Sequence, residues 1–319
     1  MVGLTLGLDM NKKIKKTENA RDNNQPVDTT SWSETAPRYS EAKRMISVFV
    51  GRPLPVIGLI IIVLLIILAI FAPLLAPYPP NQMDIVNKLQ QPSSAHWLGT
   101  DSLGRDTLSR IIFGTQTSLI IGISVMAISS IIGIVLGLLA AFFGGVIYHT
   151  IMRFMDALMA FPMLLLALLV ASLLGAGMLN IIIALGIGMI AAPCRLMCGV
   201  VMSVKQNDYV LSARAMGMSS LRLMFQEILP NAFPPLLVMI TIGIGAVILA
   251  EAGLSFLGIG ITPPTATWGG MVNDGYKFIM TNPVLAISPG IAIMLIVFGF
   301  NMLGDGLRDA LDPKLRGVI

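Results

Sequence analysis

Apolar residues along this chain gather into six blocks, at about 56–75, 118–142, 156–175, 178–203, 233–256 and 284–304, separated by shorter polar stretches. A bilayer hydrocarbon core about 30 Å thick requires roughly 20 apolar residues of helix, and each block is of that order. The third and fourth blocks are divided only by Gly175-Ala176-Gly177, which predicts an antiparallel helical hairpin. Before the first block the pattern disappears. Residues 1–45 carry Lys12, Lys13, Lys15, Lys16, Arg21 and scattered Asn, Ser and Thr with almost no apolar period, and are expected to form a disordered tail. The first apolar core begins only near Val56, too far along for a cleavable signal peptide, so it is expected to remain as an anchor. Three stretches follow from this pattern: the tail at 1–45, a first span with its following segment at 46–117, and a core of five spans at 118–319 that contains a polar, patterned loop at 205–230.

Composition agrees with a membrane protein. The 319 residues are 55% hydrophobic and 12% charged, with a mean hydropathy of +0.83, whereas a soluble domain is about 25% charged. The net charge of +4 would suit nucleic acid if it were clustered on one surface. Its distribution instead follows the spans. With the amino terminus in the cytoplasm, 17 of the 21 Lys and Arg fall on cytoplasmic segments and four, Lys88, Arg105, Arg110 and Lys277, on the other side. That bias predicts both termini inside and an even number of crossings, with the bilayer and not nucleic acid as the surrounding partner.

The chain carries no phosphate-binding G-x-x-x-x-G-K-[ST] loop, no H-E-x-x-H and no Cys and His cluster at metal spacing. Its two histidines, His96 and His149, are far apart in sequence, and Cys194 and Cys198 share one helix face as small packing residues. No catalytic, cofactor-binding or metal-binding residue is therefore expected. If nucleotide powers this protein, a partner must bind it.

Residues 205–230, KQNDYVLSARAMGMSSLRLMFQEILP, are too polar to cross a bilayer yet strongly patterned. Tyr209, Val210, Ala213 and Met216 recur at helical spacing, and Gly217 suits a helix C-terminus. Ser219 can cap a second short helix with Leu221, Met224, Phe225 and Ile228 on one stripe, halted by Pro230. Such a pair fits a hydrophobic groove on another protein, or lies on lipid headgroups. Periodicity leaves both open.

This segment resembles the cytoplasmic EAA loop of ATP-binding-cassette (ABC) importer permeases, whose pattern is E-A-A-x3-G-x9-I-x-L-P. Ala213, Gly217, Leu229 and Pro230 fall at the family's spacings, whereas Leu211, Ser212 and Glu227 depart from it. The resemblance implies an ATPase-coupling loop carried by Tyr209, Ala213, Arg214, Gly217, Ser219, Leu221, Phe225, Leu229 and Pro230, without the usual acidic residue. Three further stretches are similar to the dipeptide, oligopeptide and nickel class, on its second-permease branch. They are Trp97-Leu98-Gly99-Thr100-Asp101-Ser102-Leu103-Gly104-Arg105-Asp106, Leu254-Ser255-Phe256-Leu257-Gly258 with Trp268-Gly269, and Gly304-Asp305-Gly306-Leu307-Arg308-Asp309.

By this resemblance the chain is expected to be an all-α membrane protein with about six transmembrane helices in a MetI-like ABC importer permease fold. It would sit in the bacterial inner membrane and pair with a homologous permease, two ABC ATPase subunits that bind ATP and Mg, and an extracellular substrate-binding protein. It would import dipeptides or oligopeptides, with nickel or a nickel chelate as the alternative. A secondary transporter would instead need an intramembrane ion site.

Charged residues near the spans are costly to bury and so are candidates. Asp156 opens the expected third span and Glu251 lies late in the fifth. Either can face the pathway; Asp156 also suits the interface, and Glu251 a hydrogen bond to a neighbouring subunit. Arg195 can reach to headgroups. Asp305, Arg308, Asp309 and Asp312 are expected to pair along a last helical turn that Pro313 stops. Gly133 with Gly137, and Gly243 with Gly245, suit close helix packing within the chain or between subunits.

Overall fold

The structure is a computed structural model that describes residues 38–311. Most of the expected tail, together with Asp312 and Pro313, lies outside the described residues. Residues 38–45, assigned to that tail from sequence, belong instead to helix α1, Arg38–Val50. Met45, Val48 and Phe49 share one face of it, and Phe49 reaches Gly306 near the other end of the chain.

The first span is α2, Pro53–Ile70, with Pro53 at its first turn, where a missing N–H is harmless. A short α3, Ala72–Leu75, follows. The second span, α4, covers Thr107–Phe143 and so begins well before residue 118. Asp106 sets that start, because its carboxylate accepts from the Ser109 amide at 2.8 Å and satisfies an otherwise orphaned N–H. The expected division at 117/118 therefore falls inside a helix.

The third span departs most from the sequence pattern. Helices α5, Gly145–Met159, and α6, Met163–Leu174, meet at a bend of 89°. Pro162 lies at the break; it disfavours helical conformation at Phe161, which precedes it. Only the 12 residues of α6 continue beyond the bend, a rise of about 18 Å. The expected third span over 156–175 is thus bent, with its first residues on α5 and the rest on α6.

The predicted hairpin is present. Asn180 donates to the carbonyls of Leu174 and Gly175 at 2.9 and 3.1 Å and closes the turn. The fourth span is made of α7, Met178–Met189, and α8, Ala191–Val204. Beyond it lie α9, Asp208–Ala215; α10, Ser220–Phe256; α11, Trp268–Tyr276; and α12, Val284–Leu311. Among the described residues, five helical stretches, α7 and α8 counted together as one, are long and apolar enough to cross a membrane, six crossings if the bent pair is one.

Helix α4 lies at the centre of the bundle. Gly133 and Gly137 lie where α4 meets α8. A β-carbon at Gly137 would stand 2.3 Å from the Cys194 carbonyl oxygen, so this small-residue pair serves contact within the chain. Gly243 lies against Met126, and Gly245 against Phe300, with the same outcome. Cys194 and Cys198 are buried free thiols in this interface.

At the end of the bundle opposite 205–230, the Trp97–Asp106 stretch folds into a hydrogen-bonded platform. Asp101 accepts from the Leu103 and Arg105 amides at 2.8 and 2.9 Å and from Arg105 Nε at 2.6 Å. His96 Nδ1 lies 2.8 Å from Asp106, and the buried Trp268 donates to the Ile111 carbonyl at 3.0 Å. Trp97, by contrast, is exposed.

Candidate partner-docking site

Helix α9 ends as its sequence predicts. The Met218 amide donates to the Ala213 carbonyl at 3.1 Å and the Gly217 amide to Arg214 at 3.0 Å. Gly217 has φ of +82°. These are the paired bonds of a Schellman cap, which needs a left-handed residue at the position Gly217 occupies. The chain then turns through Met218 and Ser219 into α10. Ser219 holds the cap position in extended conformation, but its side chain makes no capping hydrogen bond.

Pro230 does not halt the second helix. Residues 220–256 run as one helix of 37 residues, from the loop to the far end of the fifth span. A π-helical stretch, Leu223–Ile228, lies immediately before Leu229-Pro230. Proline lacks an N–H and its ring crowds the preceding turn. A wider π turn there changes the hydrogen-bonding register just ahead of the ring. The sequence criterion treated proline as a stop and missed that accommodation.

Burial divides the expected stripes. Val210, Ala213, Leu223, Met224 and Ile228 turn inward, onto a cluster that includes Leu138, Met197 and Val201. Tyr209, Leu211, Met216, Leu221 and Phe225 remain exposed. Arg214, Gly217, Ser219 and Pro230 are also at the surface, and Leu229 is half-buried. Met224 and Ile228 are thus structural, while Leu221 and Phe225 belong with Met216 on an outward apolar face.

Lys205 fixes this element to the bundle. Its Nζ donates to the Ala141 and Phe142 carbonyls at 3.1 and 2.9 Å and lies 5.5 Å from the Phe142 ring centroid. Lysine at a helix C-terminus satisfies carbonyls that have no intrahelical partner. Nothing in the loop pattern identified this contact; the signal is a lone Lys directly after an apolar helix.

The other candidate charges find partners within the chain. Asp156, on α5 just before the bend, pairs with Arg195 on α8. Glu251 is buried, and its Oε1 accepts from Ser255 Oγ at 2.6 Å, one turn along the same helix. Its other carboxylate oxygen, Oε2, is buried without a hydrogen-bond partner among the described residues. Asp309 pairs with Arg52 on the first span's approach, and among the described residues Asp305 and Arg308 form no pair along the last turn. Sequence spacing favoured the local pairing because the closeness of α2 to α12 is a tertiary fact.

Apolar helices for five or six crossings define a membrane-embedded protein, and the anchored 205–230 element leaves apolar side chains exposed at one end of it. The chain belongs to the family of binding-protein-dependent transport system inner membrane components, whose description matches residues 133–317. Residues 40–92 match the N-terminal TM domain of oligopeptide transport permease C. The membership establishes the ABC importer permease class that the motifs resembled.

Among relatives, the dipeptide transport system permease protein of Alkalihalophilus pseudofirmus is 40% identical over 306 residues, covering 94% of this chain and 99% of the relative. The probable D,D-dipeptide transport system permease protein of Escherichia coli K12 is 41% identical, covering 88% and 94%. The glutathione transport system permease protein of Pectobacterium atrosepticum is 44% identical, covering 84% and 89%. A solved structure, titled as inward facing conformations of the MetNI methionine ABC transporter, aligns with a TM-score of 0.54 at 18% identity, covering 64% of this chain and 98% of that one. That likeness shows the expected MetI-like fold.

Proposed function

We propose that this permease subunit imports short peptides, and that its 205–230 element couples it to ATPase subunits. ATP and Mg bind those partners, and no catalytic step belongs to this chain. The observation that carries the coupling assignment is the outward face of Tyr209, Leu211, Met216, Leu221 and Phe225, held on a knob whose other side is packed into the bundle. Amphipathic helices with such a face suit a groove on a partner.

The peptide assignment draws on relatives named for dipeptide, D,D-dipeptide and glutathione transport. The excess of Lys and Arg on segments sharing the knob's end supports placing that end and both termini in the cytoplasm. In this arrangement a homologous permease forms the other half of the pathway, and a binding protein delivers substrate at the opposite end. Nucleotide binding by the ATPases then biases two global states, with the knob as the contact that differs between them.

Single cysteines at Met216, Leu221 and Phe225, in a chain lacking Cys194 and Cys198, test the docking. Crosslinks to a co-expressed ATPase that change with ATP are expected at these positions and not at buried Met224. Equal crosslinking at Met224, or none at the exposed positions in a folded complex, would place the knob on lipid. Uptake of labelled dipeptide by the assembled transporter in vesicles tests the substrate, and its absence would remove the peptide assignment.

A further inference from the structure

We propose that a cavity among α4, α7, α8, α10 and α12 is a binding site for the carboxylate end of the transported peptide; the inference deepens the peptide-import reading and rests on it. The cavity has a volume of about 410 Å³, within the range of about 300–1,000 Å³ usual for small-molecule sites. Its walls are overwhelmingly apolar. Met126 on α4, Met189 at the end of α7 and Met239 on α10 supply three methionines from three separate helices. Methionine is unbranched and polarizable, and a surface built from it repacks around side chains of different shape. A peptide importer needs that tolerance, because its substrates share a backbone and differ in side chains.

One lining residue is charged, Arg308 on α12, and no acidic side chain lines the cavity. Arg308 has no ion-pair partner among the described residues, whereas the adjacent Asp309 is engaged by Arg52. The backbone holding Arg308 is itself fixed: one turn earlier Gly304 lies against Ile242, which also lines the cavity. A guanidinium offers paired donors that match a carboxylate, and Arg308, itself exposed, stands at the solvent-facing rim of this apolar cavity. An apolar chamber whose one charged lining residue is a guanidinium selects an apolar ligand with one anionic end. A short peptide with a free C-terminus is such a ligand, and the exposed Ala192 lies on the wall within reach of a probe.

The test uses the transporter purified with its partner subunits, carrying Ala192→Cys together with Cys194→Ala and Cys198→Ala. The probes are N-bromoacetyl-alanyl-phenylalanine and its C-terminal amide. The cysteine thiolate displaces bromide from the bromoacetyl carbon and forms a thioether, so labelling rate reports occupancy beside residue 192. The free acid is expected to label at least about fivefold faster than the amide, and an unmodified dipeptide should slow it. Arg308→Gln should equalise the two rates, and Arg308→Lys should restore a preference for the acid. Equal rates in the parent protein, or an acid preference that survives Arg308→Gln, would overturn the site. Dipeptide uptake by the same complex in vesicles is scored separately. Uptake without acid preference rejects the cavity assignment alone, while absence of uptake rejects the import reading.

Discussion

Replacing Phe225 by alanine separates the proposed docking face from a packing residue one position away. Phe225 is 57% exposed in this chain, and a buried aromatic side chain contributes roughly 200 Å². Covering the exposed part against a partner would therefore bury about 115 Å² of mostly apolar surface, equivalent to about 3 kcal/mol at roughly 25 cal/mol per Å². Association realises only part of such a figure, because ordering and desolvation costs oppose it. The expected loss is about 1–3 kcal/mol, or roughly 5- to 150-fold in ATPase affinity. Met224 is 2% exposed and packs into its own bundle. Met224→Ala should instead cost about 2–5 kcal/mol of folding stability. The assay is ATPase binding by the reconstituted permease pair, with thermal denaturation of each variant in the same detergent. Phe225→Ala should weaken binding and leave the melting temperature nearly unchanged, and Met224→Ala should do the reverse to first order. If Phe225→Ala lowers the melting temperature as much as Met224→Ala and binding is unaltered, the face assigned to the partner is wrong.

Three other substitutions probe separate elements. Gly217→Val forces a β-branched residue into φ of +82° with no atom within 4 Å of its β-carbon, so the cost is backbone strain of about 1–2 kcal/mol; hydrogen exchange should rise across 208–222, and Gly217→Asn should lose less. Trp268→Phe removes the donor to the Ile111 carbonyl and should lower thermal stability by about 1–3 kcal/mol; an unchanged melting temperature would show that water replaces the indole N–H. Asp156 and Arg195 are each more than a third exposed, so a double-mutant cycle on thermal stability should return a coupling below about 1 kcal/mol, and a larger value would mean that the pair locks the bend.

Spans were legible in the sequence because apolar length is a one-dimensional property, and the hairpin at 175–177 and the cap at Gly217 were legible because turn chemistry is local. Two proline positions show the limit of local rules. At Pro162 the helix breaks and turns, as the rule for the preceding residue predicts, yet the apolar run across it had suggested one continuous span. At Pro230 the same residue type sits in an unbroken helix, since a π turn ahead of it alters the hydrogen-bonding register. Partner choice among charges was also hidden. Asp309 has Arg308 beside it in sequence and takes Arg52 instead, through a contact that exists only once α2 lies along α12. In the 205–230 element, periodicity placed Leu221, Met224, Phe225 and Ile228 on one stripe, and only the packing of α4 and α8 beneath it decides which of them face outward.

The continuity of Ser220–Phe256 gives the fifth span a mechanical character that the third lacks. Its 37 residues make a rod roughly 55 Å long, rooted in the knob at one end and reaching the opposite end of the bundle. Pivoting such a rod about one end by about 5° sweeps the other through roughly 5 Å, about one helical turn. The third span, bent through 89° at its proline, would instead dissipate a push at its corner. A displacement at the knob therefore meets one continuous helix in the fifth span and a corner in the third.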